Sequence, residues 1–168
     1  VRWFRRQVFP RIARAVPACR LRLVGEVARH IEPGPSVDRI GWVDRLDEEY
    51  RDCAVVALPL RMGAGLRRRA VEALARGKAF ATTPAGAAGA GLVHLRDAIV
   101  TEDAAALASE ISRALASDSV RKGYERRAIA IARESFGPER AFTALAERLG
   151  LGKRARGRAA VASSLVLA

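Results

Sequence analysis

"LRMGAGLRRRAVEALARGKAFATT", residues 60–83, joins an apolar run to a helical pattern through a turn punctuated by two glycines. Upstream, "AVVALPL", residues 54–60, is continuously apolar, the pattern of a strand buried on both faces of a parallel sheet. Downstream, a step of about 100° per residue puts Leu66, Ala70, Ala73, Leu74 and Gly77 on one stripe, which packs on the sheet. Arg68, Arg69, Glu72 and Arg76 fall on the opposite side, so the spacing predicts a helix over residues 66–76. "KAFATT", residues 78–83, follows as the next strand. Strand, turn, helix and strand make a βαβ unit, and the fold class is α/β: a Rossmann-like parallel sheet with helices on both faces.

The flanks repeat the alternation. "VRWFRRQVFPRIARAVP", residues 1–17, reads as a helix in which Trp3, Phe4 and Phe9 recur at core spacing, and "CRLRLVG", residues 19–25, reads as a strand entering a loop. A second strand covers residues 37–40. In "VDRLDEEYRDC", residues 43–53, Asp44 is the expected N-cap of a short helix, Asp47 lies in its first turn, and Leu46 and Tyr50 share a face. "TPAGAAGAG", residues 83–91, is expected to be a loop too glycine-rich for regular structure, and "DAIVTED", residues 97–103, a strand leading into two helices broken near residues 117–119.

With 168 residues, half of them apolar, the chain has material for one domain, taken as residues 1–150. The dense basic block "GKRARGRAA", residues 152–160, lies in a tail, residues 151–168, expected to be disordered. The net charge of +12 would suit a polyanion, yet the arginines are scattered along the chain, which argues against a specific nucleic-acid face. Cys19 and Cys53 lack metal-type spacing and read as buried thiols in a reducing compartment; His30 and His94 lie in separate loops with no partner spacing. No apolar run approaches the roughly 20 residues that span a bilayer. A first residue of Val1 rather than Met makes a fragment the expectation.

Gly63 and Gly65 stand where a helix amino terminus meets a strand end, a place that suits a phosphate. The turn is neither a Walker loop nor a G-x-G-x-x-G fingerprint. Glu72 has cations three and four residues before it and four after, which fits a surface helix stitched by ion pairs. It fits equally a carboxylate one turn above a phosphate, accepting hydrogen bonds from ribose hydroxyls.

"PLRMGAGLRRRAVEALARGKAFATTPAGAAG" resembles the carboxy-terminal half of the family 4 glycosyltransferases (glycosyl transferases group 1), which have two Rossmann-like domains in the GT-B fold and use nucleotide-diphosphate sugars. "IGWVDRLDEEYRDCAVVALPLR" and "RESFGPERAFTALAERL" resemble further segments of that half in the right order, as does the first helix and strand. The resemblance implies that backbone amides around Gly63, Gly65, Leu66 and Arg67 cradle the diphosphate. It puts Arg69 where the family usually has a lysine near the phosphates, Glu72 at the ribose, and Gly41 and Val43 beside the base. Transfer in the family is retaining, with no tightly bound metal and no cofactor beyond the donor; the catalytic residues are not identified. The implied partners are the nucleotide-sugar donor and, through an acceptor domain, a glycan or glycolipid, in the cytoplasm, with peripheral association at the inner membrane face as one option.

Ala64 stands where the family often carries a second glutamate, and Ala88 where an acid is frequent. The acceptor domain and the first, central strand of the donor domain are expected to be missing, which would split the sheet and leave the isolated chain poorly folded or inactive. A noncatalytic remnant or interaction module of the same fold, and a basic nucleic-acid binder, are the alternatives.

Overall fold

The computed structural model describes residues 1–63, 65–137, 142, 143, 145 and 147–149. Within them the apolar runs form strands β1 (Leu21–Val24), β2 (Val37–Gly41), β3 (Val55–Leu58), β4 (Ala79–Thr82) and β5 (Ile99–Val100). Every pairing among them is parallel. They make two sheets: β1 pairs only with β2, and the second sheet has the order β3-β4-β5.

β4 shows why the fold is layered. Its four residues are all buried and alternate in direction: Ala79 and Ala81 join one apolar cluster and Phe80 the other. The first cluster gathers Phe4, Val8, Phe9 and Ile12 from the opening helix with Leu107 and Ile111 of α5 (Ala104–Ala116). It also contains Leu23 of β1 and Val37 of β2, so one core spans both sheets. The opposite face is covered by α3 (Arg68–Ala75) and α6 (Asp118–Phe136), which contribute Ala70, Ala73, Leu74, Ala128 and Ile131 around Phe80 and Tyr50. Helices thus lie on both faces, as the alternating pattern requires. The opening helix begins with a π-helical turn, Phe4–Val8, and continues as α1 (Phe9–Ala15), where Pro10 occupies the first turn and its missing N–H costs nothing.

Several local expectations need correction. β3 is half-buried rather than buried on both faces, and among the described residues no strand is paired to its second edge. Asp44 does not cap α2 (Leu46–Asp52); Arg45 is the N-cap residue, without a side-chain hydrogen bond, and the acids Asp47, Glu48 and Glu49 fill the first turn instead. Leu66 lies before α3 and is exposed, so the core stripe starts at Ala70. The segment read as an irregular loop holds a helical turn, α4 (Pro84–Ala87), capped by Thr83, which accepts a hydrogen bond from Gly86 N at 3.2 Å. The break between the last two helices falls at Ser117, whose hydroxyl caps α6. Cys19 and Cys53 are free but only half-buried, and burial pushes both thiol pKa values up. The expected tail, residues 151–168, and Ala64 lie outside the described residues, as does part of the closing helical segment. No helix among the described residues is long and apolar enough to cross a membrane.

Candidate functional site

Parallel strands bring their carboxyl ends to one rim, and the glycine turn leaves that rim at the end of β3. Gly63 and Gly65 have φ of 125° and 79°, conformations that side chains oppose. The reversal lets Arg67 fold back over the turn: a Cβ at Gly63 would collide with the Arg67 guanidinium. Arg67 Nε and Nη2 are buried there without a hydrogen-bond partner. A buried, unpaired guanidinium is costly, since arginine stays charged at any working pH.

The adjoining helix start compounds that imbalance. The N-cap residue of α3 is Arg67, with no side-chain cap, and its first turn carries Arg68 and Arg69 and no acid. The amides of Arg68 and Arg69 precede the first bond of the helix, which Ala70 N makes to Arg67 O at 2.9 Å, and the dipole places partial positive charge beside Arg67, Arg68 and Arg69. α5 and α6 begin differently: Asp103 accepts from Ala106 N at 2.6 Å, and Ser117 caps α6 beside Asp118. The α3 terminus has neither, and Arg68 and Arg69 find their acid one turn on, at Glu72.

The turn is held from two sides. Thr82 Oγ1 donates to Leu58 O at 2.7 Å and Thr83 Oγ1 donates to Leu60 O, tying the tip of β3 to β4. Gly86 has no room for a Cβ, which would strike Thr82 Oγ1 and approach Leu58 O to 2.9 Å. Gly89, with φ of 78°, packs on the turn itself; a Cβ there would stand 2.7 Å from Leu66 N and cover that amide. Thr82, Thr83 and the glycines of residues 86–89 are functional supports that the sequence reading missed. The Thr-Pro pair ahead of small residues was the available signal, since it marks an N-cap followed by a first helical proline.

Glu72 lies on α3 as spaced, with a side chain 23% exposed. It bonds Arg69 at 2.8 Å and Arg68 at 3.4 Å, whereas Arg76 turns away to Asp47 at 2.5 Å and stacks on Tyr50 at 4.6 Å. Burial first, and the Glu72 carboxylate second, raise the Tyr50 pKa. Gly41, with φ of 77°, ends β2, and its carbonyl accepts from Gly25 N at 2.5 Å, so the tips of β1 and β2 are joined. Val43 follows two residues later, beyond Trp42, which is 72% exposed and donates to Glu26 at 3.3 Å. Gly63, Gly65, Leu66, Arg67 and Arg69 therefore gather at one strand end, Glu72 sits one turn along, and Gly41 and Val43 belong to the β1–β2 end of the rim. His30 and His94 are surface residues; His94 Nδ1 accepts from Val100 N at 3.0 Å. Among the described residues no cluster of three or more His, Cys, Asp or Glu side chains is placed to hold a metal ion.

Residues 1–117 match the family model for glycosyl transferases group 1. The chain belongs to that family, and its α/β layers are those of one Rossmann-like half of a GT-B enzyme. Among solved structures, Alr3699/HepE of Anabaena in complex with UDP is similar at a TM-score of 0.73 and 20% identity, covering 89% of this chain and 46% of that one. The same Anabaena protein with UDP-glucose gives 0.65 at 19% identity, covering 86% and 45%. The C-terminal domain of the group 1 glycosyl transferase LpcC of Francisella tularensis gives 0.53 at 14% identity, covering 62% and 55%. The chain thus spans less than half the length of the Anabaena structures. Among curated proteins none matches the sequence.

Proposed function

We propose that the chain is the donor-binding half of a retaining glycosyltransferase and takes a nucleoside diphosphate sugar at the glycine turn. The observation that carries this reading is the Arg67 guanidinium, with Nε and Nη2 buried and unpaired at a helix start that has no acid in its first turn and no side-chain cap. A diphosphate supplies the missing acceptors. In the proposed complex the amides of Gly65, Leu66 and Arg67 and the guanidiniums of Arg67 and Arg69 surround the phosphates. Glu72 exchanges an arginine partner for the ribose hydroxyls, and Gly41 and Val43 border the base. When the bond from the anomeric carbon to the phosphate oxygen breaks, charge grows on the leaving diphosphate, and fixed cations with helix amides stabilise it. No metal is needed for that role. The Anabaena neighbour's complexes with UDP, with UDP and glucose, and with UDP-glucose support a uridine donor as the first to test.

The acceptor, a glycan or glycolipid, would come through an acceptor-binding domain, in the cytoplasm at the inner membrane face. The two separate sheets favour a second reading, a noncatalytic module of the same fold that another chain completes. Calorimetric titration of UDP, GDP and ADP tests the first: one nucleotide should bind, and Glu72→Ala should cost roughly 1 to 3 kcal/mol of affinity. Absence of binding by all three leaves the module. The isolated chain is expected to be inactive; a single cooperative melt with measurable nucleotide-sugar turnover overturns that expectation.

A further inference from the structure

A second concave basic site lies away from the glycine turn and shares none of its residues. The opening helix presents Arg2, Arg5 and Arg6 from one face, three and four residues apart, toward the 3-10 turn Glu26–His30 and the residues after it. Together with His30, buried Ile31 and Glu32 they line a cavity of about 470 Å³. Arg5 is seated in this wall by construction. Gly34 lets its guanidinium approach the backbone, since a Cβ at that position would collide with Arg5 Nη2. Arg5 Nε is buried and has no hydrogen-bond partner.

We propose that this cavity binds a phosphate group. Three guanidiniums against the single Glu32 carboxylate leave two positive charges in the wall, which matches the roughly −1.5 to −2 charge of a phosphate monoester near neutral pH. A carboxylate neutralises only half of that. The fork of Arg5 suits two phosphate oxygens at once. The volume lies within the roughly 300–1,000 Å³ usual for small-molecule sites, so it also holds part of the molecule to which the phosphate is attached.

The test is NMR of the arginine Nε–Hε resonances of the full chain, titrated with inorganic phosphate at constant ionic strength. The Arg5 Nε–Hε signal should shift and saturate. Arg5→Gln, read from the Arg2 and Arg6 Nε–Hε signals, should weaken phosphate binding at this cavity by about tenfold, as loss of a charge-assisted bond does. Gly34→Ala, which displaces Arg5 while keeping every charge, should weaken it similarly, and a melting curve for each variant separates this from unfolding. Arg67→Gln should leave the cavity's affinity unchanged, which distinguishes this site from the nucleotide site. In a second arm, phosphatidylcholine vesicles with and without phosphatidic acid are pelleted with the protein. Binding that requires phosphatidic acid and is lost in Arg5→Gln identifies a lipid headgroup as the source; a phosphate response without vesicle binding identifies a soluble phosphate. An Arg5 signal unmoved by phosphate together with no vesicle binding that depends on phosphatidic acid, or a response abolished by Arg67→Gln and kept in Arg5→Gln, overturns the site.

Discussion

At the turn before β5, Arg96 and Arg127 close on Asp97; at the turn after β3, Arg67 closes on Gly63 and meets no acid. Asp97 is 2% exposed, and its carboxylate accepts from Arg96 at 2.8 Å, from Arg127 at 2.8 Å and from Val93 N at 2.9 Å. Every charge in that corner is answered from within the chain, across the 30 residues that separate Asp97 from Arg127 of α6. The glycine turn has a half-buried arginine too, and leaves Arg67 Nε and Nη2 buried without partners. One corner answers its cations within the fold; the other leaves part of one unanswered. Under the proposed function, the contrast separates an arginine that holds structure from one reserved for a ligand.

Removing Asp97 should have the largest effect. Asp97→Asn is expected to lower stability by about 3 kcal/mol in urea denaturation, because two guanidiniums lose their buried partner. A loss below about 1 kcal/mol would mean that charge does not hold the corner. The hydrogen bond from Arg96, helped by Arg127, holds the Asp97 carboxyl well below the ordinary carboxylate range despite its burial. For a lowered folded-state value, the stabilisation is complete above the unfolded pKa of about 4 and drains away as the pH falls below it. Asp97→Asn should flatten stability over that acidic stretch.

Arg67→Gln should do the reverse at the other corner. UDP affinity is expected to fall about tenfold by calorimetry, while the melting temperature holds or rises. Unchanged affinity with reduced stability would make Arg67 a structural residue like Arg127. The helix starts extend the comparison at smaller scale: Asp103→Ala should cost about 1 kcal/mol, as an N-cap loss does. The smallest stability change is a gain, about 0.5 kcal/mol for Arg67→Asp, which gives α3 the acidic cap it lacks and abolishes nucleotide binding.

The period of the apolar residues made most of the architecture legible, including the buried stripe of Ala70, Ala73 and Leu74 and the change of helix at Ser117. Such a period reports which way a side chain points, not whether a neighbouring strand exists, so the half-buried state of β3 could not be read from "AVVALPL". The turn α4 was hidden because composition counts glycines, whereas Thr83 and Pro84 fix the local geometry. Asp97 escaped notice because one of its partners is remote in sequence. At the candidate site the glycine turn at the end of β3 and the place of Glu72 on α3 were legible, while a phosphate at the turn and the roles of Arg69 and Glu72 are what the resemblance implies. The buried guanidinium was not, since it depends on the backbone angle at Gly63 that folds Arg67 inward.

Side chains of one core bridge the two sheets, yet the strands of one are not paired to those of the other. Amide exchange should therefore follow pairing more than depth. β4, flanked on both sides, would keep its protons longest, while the unpaired edges of β1 and β3 would lose theirs through small local openings. Any strand that docks between those edges would announce itself first as slowed exchange there, before a change in secondary-structure content became measurable.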